Sequence, residues 1–257
     1  MNTEILIISC AKHFNHLIYA LRSISKFARG FSAVRLVIPR CDIDVFGSSV
    51  WAGVQWADGA PPIIVDGFDE WPNQGMLHHM HIIMHSDQYC SDADIIMHFD
   101  SDWVFTESVT PDDFLVDGKP LIMYGTFDWL VNHVQGNLKM WKDATENAIG
   151  RPVTIETMRW PRLLFWRDLY PEARAEIESH TGKNMVEFMR AQRNEFPQSF
   201  CEYVTLGNVA WRLFRDKYAW RDQQTQGFPE PWKVHQAWSH ADPSPENMDL
   251  YRKLGIA

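Results

Sequence analysis

Short apolar runs alternate with longer amphipathic stretches along the first half of the chain. The runs predict strands at 4–9, 33–38, 63–65 and 94–99, and the amphipathic stretches predict helices at 13–28 and 74–86. In the first helix the apolar positions recur every three or four residues, at Phe14, Leu17, Ile18, Leu21, Ile24 and Phe27. Strands that alternate with helices favour a mostly parallel sheet with right-handed crossovers.

The second half of the chain is richer in tryptophan and in helical patterns. A strand at 120–124 precedes a helix that Pro171 begins and Gly182 ends, and a second helical pattern covers 200–218. The last elements predicted are a strand at 233–237 and a helix that starts at Pro245. No repeat or linker divides the chain, so we expect a single α/β domain over 1–257.

Composition places the chain among ordinary globular proteins, because 46% of its 257 residues are apolar and 22% are charged. The apolar run near the N-terminus, 5–8, is far shorter than the roughly 18 residues of a membrane span. We therefore expect a cytoplasmic protein without a transmembrane segment. The four cysteines are scattered, which favours reduced thiols over a zinc site or a disulfide framework.

The net charge of −9 is spread unevenly along the chain. Residues 1–150 hold 9 Lys and Arg against 19 Asp and Glu, whereas residues 151–230 hold 12 against 11. The overall basic footprint of nonspecific nucleic-acid binders is missing. An arginine-rich face in the second segment still permits an anionic partner.

The strand at 94–99 ends abruptly on two carboxylates, Asp100 and Asp102, with Ser101 between them. Ligands of open α/β sheets bind where the strands end. Two carboxylates this close repel each other, and a divalent cation offsets that cost. Hard oxygen ligands suit Mg²⁺ or Mn²⁺, which keep positions open for phosphate oxygens. The pair therefore predicts a metal that grips a diphosphate.

An apolar strand, Asp-Ser-Asp and a further apolar run resemble the nucleotide-sugar glycosyltransferases of the GT-A fold. The chain looks most like a bacterial and phage set of these enzymes, in which a glutamine-rich helix start precedes the strand; Gln74 stands there. The resemblance implies a GT-A-like, mostly parallel sheet flanked by helices. It also implies that 1–125 binds the nucleotide sugar, preferably a UDP-sugar, and that 126–257 shapes the acceptor side and closes over the metal and donor.

Further donor and metal residues are expected around this pair. Ser9, Cys10 and Lys12 follow the first strand and border the expected ligand crevice. The expected donor-binding residues are these three together with Gln74, Asp100 and Ser101. In GT-A enzymes a late histidine often completes the metal site, which the resemblance assigns to His240 or, as the alternative, His235. Four histidines at 78, 79, 81 and 85 include an i, i+4 pair, but we interpret them as a polar helix face rather than a metal site.

Two carboxylates are candidates for the base that deprotonates an acceptor hydroxyl. Glu202 lies in an apolar stretch where burial would raise its pKa toward a useful range. The resembled enzymes carry a similar Glu-Tyr before a glycine. Asp128 is the rival, because it follows the strand after the acidic pair. An inverting reaction needs such a base, whereas a retaining reaction does not.

The leading hypothesis is a metal-dependent glycosyltransferase that acts on an acceptor glycan. A first alternative acceptor is a hydroxymethylated pyrimidine in phage DNA, suggested by the resemblance and by arginines at 159, 162, 167, 190, 193, 212 and 215. A second alternative is a noncatalytic module that binds nucleotide sugars or glycans. A metal-dependent phosphohydrolase is disfavoured, because no further acidic cluster offers a two-metal site.

Overall fold

The structure is a computed structural model that describes residues 1–72, 74–133, 138–159, 163–192, 200–228, 233–237 and 242–257. The chain forms two compact units that are interleaved along the sequence. The first comprises Met1–Asp69, Met97–Phe114 and Glu230–Ala257, and the second comprises Glu70–Ile96 and Leu115–Pro229. The expected division at residue 125 stays a prediction.

The strands are β1 (Thr3–Ile8), β2 (Ala33–Pro39), β3 (Ile63–Phe68), β4 (Ile95–His98), β5 (Trp103–Phe105), β6 (Leu115–Val116), β7 (Lys119–Thr126), β8 (Ile155–Glu156), β9 (Leu164–Trp166), β10 (Ala219–Asp222) and β11 (Val234–Gln236). The helices are α1 (Phe14–Phe27), α2 (Ile43–Val45), α3 (Gly75–Met84), α4 (Ser86–Tyr89), α5 (Phe127–His133), α6 (Lys139–Ile149), α7 (Leu169–Thr181), α8 (Met185–Arg190), α9 (Glu202–Leu213), α10 (Gln223–Gln226) and α11 (Pro245–Leu254).

The first unit is built on strands in the order β3-β2-β1-β4. The pairs β1–β2 and β2–β3 are parallel, with Ile5 opposite Val34. Every residue of β1 is buried, as expected for a strand covered on both faces. The apolar stripe of α1 packs into this core, and Ser23 Oγ accepts a 3.0 Å hydrogen bond from the Phe105 amide of β5.

The C-terminal elements of the first unit are β11 and α11. β11 pairs with β5 in antiparallel register. α11 begins at a Ser244 cap with Pro245 in its first turn, the arrangement that the sequence predicts. Two hydrogen bonds join α1 to the C-terminal end of α11 and the residues after it. Lys26 Nζ donates to Leu254 O at 2.7 Å, and Arg22 Nη1 donates to Ile256 O at 3.0 Å.

The second unit is organised around β7. β10 pairs with β7 in parallel, while β6 and β8 are antiparallel to it. β9 pairs with β4, whose first two residues belong to this unit. Gly182 ends α7 in the left-handed conformation, with φ of 66°, as the sequence predicts.

Most predicted elements are confirmed within one or two residues at each end, and the helix predicted over 200–218 is the main exception. It ends at Leu213, and the chain then forms a short 3₁₀ turn and β10. Trp220, on β10, contacts Trp211 edge-to-face at 4.6 Å. The apolar pattern that predicted a longer helix therefore extends past the end of α9 into β10, where Trp220 packs against Trp211 of α9. In the described part of the chain, no helix is long and apolar enough to cross a membrane.

Candidate functional site

The acidic pair lies in a tight turn between β4 and β5. The Phe99 amide donates to Leu6 O at 3.0 Å, so the turn begins beside β1. The Trp103 amide then donates to Asp100 O at 3.0 Å and closes the turn. Asp100 is half-buried, and Asp102 is only 8% exposed. The sequence thus places both carboxylates where a buried strand ends, as the alternation of elements predicts.

Burial and mutual repulsion govern the charge of this pair. Desolvation and then the negative charge of Asp102 raise the pKa of Asp100 from 3.8 to about 7. Near neutral pH Asp100 is therefore protonated in a fraction of the molecules, and a divalent cation would displace that proton. Oxygen donors of this kind fit Mg²⁺ or Mn²⁺.

The donor set is incomplete for a cage made of protein alone. Among the described residues, no group of three or more His, Cys, Asp or Glu side chains is arranged to hold a metal ion. One or two carboxylates with open positions for phosphate oxygens are nevertheless the usual protein contribution to Mg²⁺ sites of phosphate chemistry. The acidic pair fits that pattern. The preferred third ligand, His240, lies outside the described residues.

His235, the alternative ligand, lies on β11 opposite Val104. Its Nε2 is 2.9 Å from Asn247 Oδ1 of α11. That contact occupies one ring nitrogen, so only Nδ1 would remain for a metal.

The loop after β1 contributes the expected donor-binding residues Ser9, Cys10 and Lys12. The Ser9 amide donates to Val37 O at 3.1 Å, which fixes the loop to β2. Ser9 Oγ is buried and has no hydrogen-bond partner in the described structure. Cys10 is half-buried and Lys12 is exposed. A hydroxyl left without a partner beside the acidic turn suits a ligand polar group.

The other predicted site residues belong to the second unit. Gln74 is the N-cap of α3, and its carbonyl accepts from the His78 amide at 2.9 Å. Asp128 lies exposed in the first turn of α5. Glu202 is the first residue of α9 and only 5% exposed.

Glu202 is held where strand β8 meets helix α9. Thr157 Oγ1 donates to Tyr203 O at 2.9 Å, and Asn208 Nδ2 donates to Ile155 O at 2.9 Å. Gly207 permits this approach, because a Cβ there would overlap the Thr157 side chain. These contacts join α9 to β8 directly beside Glu202.

Sequence reasoning missed a second carboxylate at this junction, Glu156. It is 0% exposed and forms an ion pair with Arg159. Burial raises its pKa, while Arg159 acts in the opposite direction. The Met158 amide also donates to Glu156 Oε1 at 2.7 Å. Nothing in the local sequence indicates this burial, because Glu156 simply follows the β-branched residues Thr154 and Ile155.

The histidines of α3 pack with an aromatic residue rather than standing in solvent. Trp71 stacks on His78 with ring centroids 4.6 Å apart, and its amide donates to His78 Nδ1 at 3.2 Å. The ring of His81 lies 4.2 Å from that of His85. Desolvation lowers the pKa of His78 to about 4 and that of His81 to about 3. We call Trp71, His78, His81 and His85 the histidine cluster.

The arginines that suggested a DNA acceptor are engaged within the protein wherever the structure describes them. Arg159 pairs with Glu156, Arg212 pairs with Glu176, and Arg167 Nε donates to Ala93 O at 2.8 Å. Arg190 and Arg215 lie over the rings of Trp71 and Trp211. Arg162 and Arg193 lie outside the described residues. These contacts give the DNA alternative no support.

The chain has a GT-A-like α/β fold, which confirms the expected fold class. The crystal structure of galactosyltransferase LgtC in complex with donor and acceptor sugar analogues is 12% identical, with a TM-score of 0.52. That match covers 98% of this chain and 95% of LgtC. An active-site mutant of LgtC gives a TM-score of 0.53 at the same identity and coverage.

No protein-family model matches the chain, and no curated protein matches its sequence. At 12% identity the likeness to LgtC establishes the fold. The activity has to be argued from this chain's own residues.

Proposed function

We propose that this protein is a metal-dependent glycosyltransferase that moves a sugar from a nucleoside diphosphate sugar, preferably a UDP-sugar, to an acceptor hydroxyl. The observation that carries the proposal is the acidic pair in the turn after β4 of a GT-A-like fold. The similar structure of a galactosyltransferase with donor and acceptor sugar analogues supports it.

Asp100 and Asp102 would hold Mn²⁺ or Mg²⁺, and the bound ion would supply Lewis-acid stabilisation of the charge on the leaving diphosphate. The raised pKa of Asp100 supports this role, because a cation relieves the repulsion that burial intensifies. Ser9, Cys10, Ser101 and Gln74 are proposed to contact the donor. Lys12, an exposed cation in the 3₁₀ turn after β1, would meet the phosphates as a point charge.

On the acceptor side we propose Glu202 as the base if the reaction inverts the anomeric centre. Its burial supports this role, since it keeps bulk water away from the carboxylate. Asp128, exposed in the first turn of α5, is the alternative base. The acceptor proposed is a glycan.

The proposal is tested by following transfer or hydrolysis for a panel of nucleoside diphosphate sugars, with Mn²⁺ or with EDTA. Asp102→Asn is expected to lower Mn²⁺-supported turnover by more than about 100-fold. Asp112→Asn, which neutralises an exposed aspartate in the same unit, is the matched control and should keep full turnover.

Full turnover of Asp102→Asn, or equal turnover in EDTA, would contradict the proposal. Metal-dependent binding of a donor that is never cleaved would instead favour the noncatalytic module.

A further inference from the structure

Asn247, in the first turn of α11, joins three parts of the C-terminal segment. Its Nδ2 donates to Ala237 O at 3.2 Å, and its Oδ1 lies 2.9 Å from His235 Nε2. Its own amide donates to Ser244 Oγ at 3.2 Å. One side chain therefore fixes the end of β11 to the start of α11.

The orientation of the Asn247 amide follows from its two partners. Ala237 O only accepts hydrogen bonds, so the NH₂ group must face it and Oδ1 must face the ring of His235. His235 Nε2 therefore carries the proton in this contact. Both hydrogen bonds have a definite direction.

The end of β11 in turn holds the acidic turn. The Ala237 amide donates to the carbonyl oxygen of Asp102 at 2.8 Å, which extends the β5–β11 ladder by one step. Alternation along the ladder places Asp102 and Val104 on the same face as His235 and Ala237. The backbone from which the Asp102 carboxylate projects is thus fixed by Ala237.

Helix α11 covers this same face. Tyr251, one turn beyond Asn247, packs with Val104 and Ile256 and stacks on Tyr19 with centroids 4.5 Å apart. Helix α11 therefore packs on the face of the β5–β11 ladder that carries Val104 and His235.

We propose that Asn247 is a positioning residue for the metal site of the acidic pair, acting through Ala237 on the backbone of Asp102. This inference rests on the proposed function. Asn247 does not touch the metal; it fixes the geometry of a ligand, as residues behind metal ligands commonly do. Nothing in the local sequence around Asn247 indicates this role, because its partners come from β11.

The test is the affinity for Mn²⁺ alone, measured by the electron paramagnetic resonance signal of unbound Mn²⁺. In Asn247→Asp the carboxylate still accepts from His235 and favours a helix N-terminus, but it cannot donate to Ala237 O. Mn²⁺ binding is expected to weaken about tenfold. The added negative charge alone would strengthen cation binding. Weaker Mn²⁺ binding would therefore show that the position of Asp102 has changed.

Ser244→Ala is the matched control, because it removes the cap of the same helix without touching Ala237. It should lower the thermal midpoint while leaving Mn²⁺ affinity within about twofold of wild type. Asn247→Ala, which removes both side-chain bonds without adding charge, is the second variant and should weaken binding about as much as Asn247→Asp.

Wild-type affinity in both Asn247 variants would overturn the positioning role while leaving the proposed function intact. Losses that track the thermal midpoint equally in all three variants would also overturn it. Failure of the wild-type protein to bind Mn²⁺ would overturn the proposed metal site and this inference together.

Discussion

The acidic pair and the histidine cluster are both groups of side chains that can ligate metals, and they respond to burial in opposite ways. Burial raises the pKa of Asp100 to about 7 and lowers that of His81 to about 3, so each is driven toward its neutral form. The neighbours differ. Asp100 faces another carboxylate, whereas the histidines face Trp71 and one another.

That difference distinguishes the proposed metal site from a packed group of rings. Repulsion between two carboxylates is relieved by a cation, so the acidic pair gains free energy when one binds. Neutral imidazoles stacked on an indole have little to gain from a cation, because binding would break the stack. Residue type and spacing alone do not distinguish the two clusters.

Removing potential ligands from each cluster in turn should separate the acidic pair from the histidine cluster most clearly. Asp100→Asn should weaken Mn²⁺ binding by about 100-fold, because it removes one of two anionic ligands. His81→Gln and His85→Gln should stay within about twofold of wild type, as measured by calorimetric titration. A histidine variant that loses Mn²⁺ binding would reverse the assignment of the two clusters.

The pH dependence of Mn²⁺ binding should follow Asp100. Since its pKa is about 7, a proton competes with the metal below that pH. Affinity is expected to fall by about tenfold for each pH unit below 7 and to level off above it. If the affinity for Mn²⁺ fell only near pH 4 in the same titration, the pKa of Asp100 would be that of an ordinary carboxylate.

The two clusters should also give opposite slopes of stability against pH in the metal-free protein. The folded pKa of Asp100 lies above its unfolded value, so its contribution is fully present below about pH 3.8 and is lost as pH rises through 7. The folded pKa of His78 lies below its unfolded value, so its contribution is present above about pH 6.5 and is lost as pH falls to 4.

Urea unfolding of wild type, Asp100→Asn and His78→Asn between pH 4.5 and 6.5, followed by tryptophan fluorescence, measures these slopes. Asp100→Asn should become relatively more stable as pH rises, and His78→Asn relatively more stable as pH falls. Parallel curves for all three proteins would contradict both assignments.

The smallest expected effect concerns the charge next to the histidine cluster. Arg190 lies over Trp71, with 4.9 Å between its guanidinium carbon and the ring centroid. Burial lowers the pKa of His78 most, and the positive charge of Arg190 lowers it further. Arg190→Gln should raise that pKa by a few tenths and cost about 0.5–1 kcal/mol of stability. Nuclear magnetic resonance titration of His78 would detect the shift, and an unchanged titration would argue against the charge effect.

Much of the first unit could be predicted from the sequence because its signals are local. Fully buried strands such as β1 and the stripe of α1 appear as runs and periodicities, and the acidic pair marks the end of β4 directly. The pairing of β5 with β11 could not be predicted in this way, since it joins residues about 130 positions apart. The role of Asn247 depends on that pairing and was therefore invisible.

In the second unit, context overrode several local patterns. The histidines of α3 have the spacing of a polar face, yet Trp71, from outside the helix, packs on them. The buried Glu156 likewise depends on Arg159 and on the packing of β8 against α9. In both cases the partner that decides the environment lies outside the local pattern.

We propose that the acidic pair binds a nucleotide through a divalent cation. Calorimetric titration of the wild-type protein with UDP, once with Mn²⁺ and once with EDTA, tests it most directly. UDP is expected to bind with Mn²⁺ present and to bind at least tenfold more weakly in EDTA. Equal affinity in EDTA, or no binding of UDP or any other nucleoside diphosphate with Mn²⁺ present, would contradict it.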